Sequence, residues 1–371
     1  MTRLVLLGGG HAQLSVLASL AERPMTDCDV RLVTPYRRQI YSGMLPGWVA
    51  GHYPIEACAI ALDALAARAG VAFHEAAAVA LNPSDHSLRC DDGAELPFDL
   101  LSIDTGPVAS TGDLPGSAEY ALPIRPIEGF VAAWPALVDR MHGARRRFDL
   151  AILGAGAAGL ELAFAIRHRA VTDGWSHVRV TLVGSDALPL EGSPDKLRRQ
   201  AVTLLTQRGI AWVGGSKAQR IEPHRICLQN SATLDFDACL IVTGAAAPAW
   251  PRAAGLATND RGFISVGPTL QSLSHPQIFA AGDVAAYRDA RPKSGVFAVR
   301  AGPMLAHNLH AMCEGRALKT WAPQQRALHL ISTGERHALA SWGRWAWHGH
   351  WVWHWKDRID RQFVRRFGAS G

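Results

Sequence analysis

Residues 4–13 read LVLLGGGHAQ, and residues 150–159 read LAILGAGAAG. In both stretches a short apolar run ends in a glycine-rich turn that opens a helical pattern. Glycine permits the tight turn and the close approach of a pyrophosphate, and the N-terminus of the following helix offers unpaired N–H groups to that anion. A chain with two such turns is expected to hold two dinucleotides and to pass electrons from one to the other.

The two turns differ in how well they match the dinucleotide-binding pattern. Gly154, Gly156 and Gly159 satisfy all three glycine positions, whereas in the first copy Gln13 stands where the third glycine belongs. That glycine serves helix–strand packing and not the phosphate, so its replacement weakens the match without abolishing it. The alternative for either copy is a tight strand-to-helix turn that holds no ligand.

Composition places the chain among ordinary globular proteins. Its 371 residues suffice for two or three domains, with 48% hydrophobic and 19% charged residues. The first turn lies so near the N-terminus that residues 4–7 are expected to form a strand and not a signal peptide. No run of about 18 apolar residues predicts a membrane-spanning helix.

Cysteine spacing and charge narrow the classes further. The six cysteines include no C-x-x-C pair. This argues for a reducing, cytoplasmic compartment and against a structural zinc site, so no metal site is predicted. The net charge of +6 favours neither an anionic membrane surface nor acidic ligands decisively.

Two segments after the first helix are suited to lining a ligand. A second strand, residues 30–33, ends at Thr34 and Pro35. A dinucleotide site often carries an acidic residue here for the adenosine ribose, and Thr34 can still bond a hydroxyl. Residues 41–47, YSGMLPG, form an irregular apolar segment that contains Ser42 and Gly43.

Four signatures stand in order along the chain. A glycine turn is followed by a strand that ends in Thr105-Gly106, the same pair recurs with Thr243-Gly244, and residues 279–283 then read FAAGD. This order resembles the pyridine-nucleotide-disulfide oxidoreductase superfamily, whose members are flavoproteins with two dinucleotide-binding domains. Within it, the tail and the lack of a redox disulfide resemble the type II NADH:quinone oxidoreductases. Residues 41–47 and 296–303 are similar to a subgroup that also occurs fused ahead of selenide, water dikinase.

The resemblance implies an α/β fold with two Rossmann-like domains, the second inserted in the first, and a C-terminal hairpin and amphipathic helix. The expected boundaries are 1–116 and 254–325 for the FAD-binding domain, 117–253 for the NAD(P)-binding domain, and 326–371 for the tail.

The resemblance also implies where FAD binds. Gly8 and Gly10 would face the pyrophosphate, and Asp283 would accept hydrogen bonds from ribityl hydroxyls, with Gly282 allowing close approach. The alternative for Asp283 is a turn or N-cap aspartate. The complete set of implied FAD-binding residues is Gly8, Gly10, His11, Ala12, Thr34, Pro35, Ser42, Gly43, Ala78, Thr105, Gly106, Gly282 and Asp283.

Two residues are implied to act in catalysis. Lys293 and the start of the following helix would approach the isoalloxazine ring and stabilise negative charge on the reduced flavin; the alternative is a solvated lysine. Glu161 matches a family glutamate near the nicotinamide, where it could position the ring or handle a proton. The alternative is an ordinary helix glutamate.

The implied NAD(P)H site departs from the family pattern in one respect. Its residues would be Gly154, Gly156, Ala157, Gly159 and Gly244. However, Gly184-Ser185 follows the second strand of this unit, with no acidic residue for a ribose hydroxyl. Ser185 with Arg198 or Arg199 could instead accept a 2′-phosphate, so NADPH is open; equally, nicotinamide binding may be weak or another donor may be used.

The C-terminal tail is rich in tryptophan, with six between residues 342 and 355. A stripe at helical spacing follows, and basic residues are expected on the other faces, Lys356 among them. Tryptophan and basic residues favour a membrane interface. The alternative is a helix docked on the FAD domain or on a dimer partner; a nucleic-acid partner is disfavoured.

Together these observations predict a FAD-dependent oxidoreductase that passes electrons from NAD(P)H through FAD to a second acceptor, for which a quinone is expected. It would be cytoplasmic or peripheral on the inner face of the cytoplasmic membrane. The alternative is a flavin-bearing redox sensor or electron-delivery partner, in selenium metabolism for example, with little turnover.

Overall fold

The computed structural model describes residues 1–109, 114–289 and 291–368. The helices are α1 His11–Glu22, α2 Leu45–Val49, α3 Leu62–Arg68, α4 Ser117–Tyr120, α5 Ile127–Gly143, α6 Ala157–Thr172, α7 Asp195–Gln207, α8 Trp250–Ala253, α9 Gly295–Cys313 and α10 His350–Phe367. The strands are β1 Thr2–Leu7, β2 Cys28–Thr34, β3 Arg38–Ile40, β4 Ala59–Ala61, β5 Ala72–Glu75, β6 Ala78–Asn82, β7 Ser87–Cys90, β8 Glu95–Pro97, β9 Leu100–Ile103, β10 Val108–Ala109, β11 Leu122–Pro123, β12 Phe148–Leu153, β13 Val178–Val183, β14 Ala211–Val213, β15 Ala218–Glu222, β16 Arg225–Leu228, β17 Thr233–Asp235, β18 Ala238–Ile241, β19 Ala245–Ala246, β20 Ile264–Ser265, β21 Ile278–Ala280, β22 Ala285–Ala286, β23 Leu328–Ser332, β24 Ala338–Trp342 and β25 Trp345–Gly349.

The first sheet is parallel, in the order β21-β9-β1-β2-β5. Its central strand β1 is apolar and buried from Leu4 to Leu7, as expected for a parallel strand covered on both faces. Helices α1 and α9 pack together through residues such as Leu14, Leu17 and Leu305. Because β21 returns to this sheet after the second unit, that unit is inserted in the first.

The second sheet is also parallel, in the order β11-β18-β12-β13-β14. Helix α6 follows β12 through the second glycine turn, as α1 follows β1 through the first. Each unit also carries a three-stranded antiparallel meander, β6-β7-β8 in the first and β15-β16-β17 in the second. The predicted fold of two Rossmann-like domains is confirmed.

The tail folds into an antiparallel sheet, β23-β24-β25, followed by α10. The sequence pattern predicted a hairpin, and the third strand is formed by residues 345–349. The prediction that Lys356 lies on an outer face of the helix was wrong, since its side chain is buried together with Asp360. Trp355 and Ile359, which share the predicted apolar stripe with buried Val352, are each 39% exposed.

Helix α10 is therefore docked on the rest of the molecule, while part of its apolar surface still faces outward. In the ranges that the structure describes, no helix combines the length and the apolar character needed to cross a membrane.

Candidate functional site

The first glycine turn is organised by Asp104, at the end of β9. Its Oδ2 atom accepts hydrogen bonds from the backbone N–H groups of Ala12, at 2.7 Å, and Gln13, at 3.1 Å. A side chain at Gly8, where φ is +92°, would overlap the backbone of Asp104, and one at Gly10 would overlap its carboxylate. The first turn of α1 thus already binds one carboxylate, and burial raises the pKa of this group to about 7.

Sequence reasoning missed Asp104, although it stands directly before the Thr105-Gly106 pair. Two predicted FAD-binding residues contact it and do not line a cavity: Ala12 donates to its carboxylate, and a side chain at Gly282 would overlap Oδ1. Asp104 therefore joins the glycine turn to the turn after β21.

A cavity of about 370 Å³ lies along the C-terminal ends of the strands of the first sheet. Most of the predicted FAD-binding residues line it, namely Gly8, Gly10, His11, Thr34, Pro35, Ser42, Ala78, Thr105, Gly106 and Asp283. Gly43 contributes differently, since its carbonyl oxygen accepts a 2.6 Å hydrogen bond from Lys356 Nζ.

Three buried polar atoms fit this cavity to a polar ligand. His11 Nε2, Gln39 Oε1 and Arg125 Nη1 have no hydrogen-bond partner among the described residues, and all three side chains line the cavity. Buried polar groups are normally satisfied, so such atoms point to a ligand that supplies partners. FAD carries both donors and acceptors along its length and meets this requirement. Sequence reasoning missed Gln39 and Arg125, which no motif marks.

Lys293 lies beside the cavity rather than among its lining residues. Its Nζ atom donates to the carbonyl oxygen of Ala285 and lies 3.9 Å from the centroid of the Phe263 ring. Burial lowers the pKa of Lys293 to about 8, while nearby Asp283 acts in the opposite direction. The predicted approach of Lys293 to the isoalloxazine ring stays a prediction.

The second glycine turn divides its glycines by role. Gly154, with φ of +114°, faces the carbonyl of Val242, and a side chain at Gly159 would overlap the carbonyl of Gly154. A Cβ at Gly156 or Gly244 would meet no atom within 4 Å. Packing therefore requires the first pair, whereas the second pair leaves open space beside the start of α6 at Ala157, where a pyrophosphate can approach.

The end of β13 bears on the choice of coenzyme. The Arg198 guanidinium donates to the carbonyl oxygens of Leu188, at 2.8 Å, and Pro189, at 3.0 Å. It is thus occupied in holding this loop, while the Arg199 side chain is 67% exposed. Asp186, 3.5 Å from Arg198, is an acidic group that sequence reasoning missed.

Glu161 lies in a buried polar cluster that we define as Glu161, Tyr41, Lys356 and Asp360. Its Oε1 atom accepts a 2.8 Å hydrogen bond from the backbone N–H of Ser332, and Lys356 Nζ lies 2.6 Å from Asp360 Oδ2. Burial raises the pKa of Glu161 to about 7, against the opposing effect of the Lys356 charge. The cluster joins α6 to the tail, and the sequence gave no signal for Lys356 or Asp360.

A stack of aromatic rings leads from the cavity to α10. Ring centroids of Tyr41 and Phe363 are 4.5 Å apart, and His11 lies 5.5 Å from Tyr41 and 5.7 Å from Phe363. His11 lines the cavity and Phe363 belongs to the last helix. This aromatic stack therefore connects the candidate FAD site with the tail.

The family model described as "pyridine nucleotide-disulphide oxidoreductase" matches residues 2–312. The chain belongs to this family. As a member of it, the protein is a FAD-dependent NAD(P)H oxidoreductase, which confirms the predicted enzyme class and both cofactors.

Individual relatives agree with the family assignment. The demethylphylloquinone reductase NdbB of Synechocystis sp. is 28% identical over 331 residues, which cover 85% of this chain and 81% of the relative. Among solved structures, NDH2 from Plasmodium falciparum has a TM-score of 0.83 at 12% identity, covering 98% of both chains. The sulfide:quinone oxidoreductase from Aquifex aeolicus has a TM-score of 0.83 at 18% identity, covering 100% of this chain and 93% of that one. At these identities the structures support the shared fold.

Cysteine chemistry is not evident at the flavin site of this family member. All six cysteines are free, and among the described residues none lines the cavity. A separate group of His74, Cys90 and Asp92 brings potential metal-ligand atoms within 4.8 Å of one another, and its His74 already pairs with Asp92 at 2.8 Å.

Proposed function

We propose that the second electron acceptor is a lipophilic quinone. The overall reaction would be NAD(P)H + H⁺ + quinone → NAD(P)⁺ + quinol, in which two electrons and two protons reach the quinone. FAD, when bound, accepts a hydride from NAD(P)H and passes the two electrons on. A relative that spans most of this chain is named a demethylphylloquinone reductase, which supports a quinone acceptor.

The binding roles follow the positions of the residues. Gly8, Thr105, Gly106 and Asp283 line the cavity and would hold FAD, with Asp283 accepting hydrogen bonds from the ribityl hydroxyls. Gly156, beside the N-terminus of α6, would admit the pyrophosphate of NAD(P)H. These assignments are part of the proposal.

The observation that carries the quinone assignment is the aromatic stack. A quinone ring is flat and apolar on its faces, and aromatic side chains bind such rings in offset-stacked or edge-to-face geometry. At one end of the stack His11 reaches the cavity, and at the other end Phe363 belongs to α10. The same helix exposes Trp351 and Trp355, so an acceptor dissolved in a membrane would have a short apolar route to the flavin.

The buried polar cluster would serve the proton requirement. Quinone reduction consumes one proton beyond the transferred hydride. Glu161, whose pKa is raised to about 7, holds a proton in part of the molecules at neutral pH. Tyr41 belongs both to this cluster and to the aromatic stack, so a proton held by Glu161 lies near the proposed quinone position.

Acceptor kinetics test the proposal. The FAD-loaded enzyme is reduced anaerobically with NADH or NADPH and mixed with a short-chain menaquinone or ubiquinone analogue, with ferricyanide, or with oxygen. We expect Phe363→Ala to lower kcat/KM for the quinone at least about tenfold, or 1.4 kcal/mol, while flavin reduction by NAD(P)H and reoxidation by ferricyanide stay within twofold.

Gln362→Ala is the matched control, because Gln362 is the exposed neighbour of Phe363 on the same helix. Rapid reduction by NAD(P)H without quinone turnover would contradict the proposal. Negligible reduction by either coenzyme would favour the alternative of a redox sensor or electron-delivery partner.

A further inference from the structure

The three polar atoms without partners lie toward one end of the FAD cavity. The cavity crosses the C-terminal ends of β2, β1, β9 and β21, because these strands are neighbours in that order. Three strand spacings of about 4.8 Å separate β2 from β21. Thr34 follows β2, where the adenosine ribose binds in this class of fold, so Asp283, which follows β21, marks the flavin end.

Both His11 and Arg125 belong to the flavin end. His11 Nε2 lies 3.5 Å from the position that a Cβ of Gly295 would occupy, at the start of α9. Arg125 Nη1 lies 3.7 Å from Asp283 Oδ2. We propose that Arg125 supplies the positive charge that binds the isoalloxazine of FAD and raises its reduction potential, with His11 as a neutral hydrogen-bond donor beside it.

Arg125 has the charge and the free valence that this role requires. A guanidinium remains protonated at all accessible pH values. Its buried Nη1 atom makes no hydrogen bond with any described residue. Flavin reduction places negative charge on the pyrimidine part of the isoalloxazine, so a fixed cation in a site of low dielectric constant stabilises the reduced form.

The competing cation is Lys293, and its contacts make it the weaker candidate. Lys293 Nζ spends one hydrogen bond on the Ala285 carbonyl and lies over the Phe263 ring. Among the described residues that line the cavity, Arg125 is present and Lys293 is not. Asp283 faces both cations, and each lowers the pKa of its carboxyl against the larger effect of burial.

His11 is held as a neutral donor by Gln39. The Nε2 atom of Gln39 lies 3.1 Å from His11 Nδ1, so Nδ1 accepts this hydrogen bond and Nε2 carries the ring proton. Burial, together with the charge of Arg125, lowers the pKa of His11 to about 4. The imidazole is therefore uncharged at neutral pH, and Arg125 provides the full charge.

Redox titration separates the two cations. The potential of FAD is measured against reference dyes in the wild-type protein and in Arg125→Gln, Arg125→Lys and Lys293→Met, with FAD in excess. We expect the equilibrium constant for two-electron reduction to fall at least tenfold in Arg125→Gln, which corresponds to a potential about 30 mV lower. Arg125→Lys and Lys293→Met should stay within threefold of the wild type.

Sulfite gives a second readout that needs no electron donor. It adds to N5 of oxidised flavin, and the anionic adduct is stabilised by the same positive charge. We expect the dissociation constant of the adduct to rise at least tenfold in Arg125→Gln. Arg220→Gln, a paired surface residue of the second unit, serves as control.

Three outcomes would overturn the assignment. The first is an unchanged potential and sulfite affinity in Arg125→Gln. The second is a larger shift in Lys293→Met than in Arg125→Gln. The third is complete loss of FAD binding in a folded Arg125→Gln protein, which would assign the guanidinium to the phosphates. None of these measurements involves a quinone, so failure of the proposed function leaves the test intact.

Discussion

Lys356 Nζ lies 2.6 Å from the carbonyl oxygen of Gly43, 313 residues earlier in the chain. Gly43 belongs to the segment whose neighbour Ser42 lines the FAD cavity. The last helix is thus bonded to the wall of the cofactor site, through a lysine that is buried with Asp360. The tail is both a docked element and a carrier of exposed tryptophans.

Breaking this buried pair is expected to destabilise the protein strongly. Lys356→Met leaves Asp360 as an uncompensated buried charge, which costs about 3–5 kcal/mol in free energy of unfolding. The measurement is denaturant unfolding of the FAD-loaded protein. Arg361→Gln is the matched control on the same helix: Arg361 pairs with Asp357 at 2.9 Å but is 42% exposed, so its loss should cost about 1 kcal/mol or less. Equal costs for the two variants would contradict the importance of the buried pair.

The two glycines of the second turn should respond differently to alanine. Gly156→Ala adds a methyl group into space that no protein atom occupies within 4 Å, at an ordinary φ of −71°. It should fold normally and raise KM for NAD(P)H at least about tenfold, because the methyl group occupies the space of the pyrophosphate.

Gly159→Ala is the contrasting variant, since its Cβ would overlap the Gly154 carbonyl. It should lower the free energy of unfolding, as measured by denaturant unfolding, whatever the coenzyme concentration. If Gly156→Ala binds both coenzymes as tightly as the wild type, the pyrophosphate does not lie at this turn.

Local patterns predicted the fold and most of the cavity lining, for a physical reason. In a parallel sheet all strands end at the same edge, so residues placed after successive strands, such as Thr34 and Thr105, must meet there. The residues missed by sequence reasoning act through distant partners. Asp104 binds Ala12, 92 positions away, and Arg125 pairs with Asp283 across the inserted unit.

The tail shows a second limit of pattern reasoning. Periodicity places Val352, Trp355 and Ile359 on one stripe of α10, yet only Val352 of the three is buried. Tryptophans occur on several faces of this helix, so the spacing does not select the face that docks. The buried position of Lys356 depends on Gly43 and Asp360, and only Asp360 lies on its own helix.

Quinone reduction should depend on pH through Glu161. Because the pKa of this carboxyl is raised to about 7, the group is protonated below that pH and ionised above it. If it donates a proton, kcat/KM for the quinone should fall as pH rises through about 7. The measurement is a profile from about pH 5.5 to 9, and in Glu161→Gln the profile should lose this fall and lie lower.

Asp104 requires a separate comparison, because its pKa is also raised to about 7. Both carboxyls are present in the wild type, so only the difference between wild type and Glu161→Gln reports Glu161. An unchanged profile in Glu161→Gln would leave that residue with a positioning role.

The coenzyme preference should be weak. Gly184 occupies the position where an acidic residue would select NADH, and Arg198 is occupied with the Leu188 and Pro189 carbonyls. We expect the ratio of kcat/KM for NADH and NADPH to stay below about 100-fold, or 2.7 kcal/mol. A larger preference for NADH would indicate a ribose partner, with Asp186 as the first residue to replace by asparagine.

The outward face of the tail should bind anionic membranes. Trp342 and Trp345 form a cross-strand pair with 50% and 58% exposure, and Trp351 and Trp355 stack at 6.3 Å on α10, which contacts the same sheet. Tryptophan is enriched at the lipid headgroup level, and basic residues attract anionic lipids. The exposed basic residues nearby are Arg344, Arg358, Arg365 and Arg366.

Vesicle sedimentation measures this binding with full-length, FAD-loaded protein. We expect affinity for vesicles containing anionic lipid at low salt, and weaker binding as salt rises toward about 1 M, where charges are screened beyond about 3 Å. Trp351→Ser combined with Trp355→Ser should lower the partition coefficient at least about tenfold. Val171→Ser is the control, because Val171 is 61% exposed on α6, in the other sheet's layer. Equal loss in the control, or no binding by the wild type at low salt, would show that the exposed tryptophans serve another partner, and a quinone would then have to reach the flavin from solution.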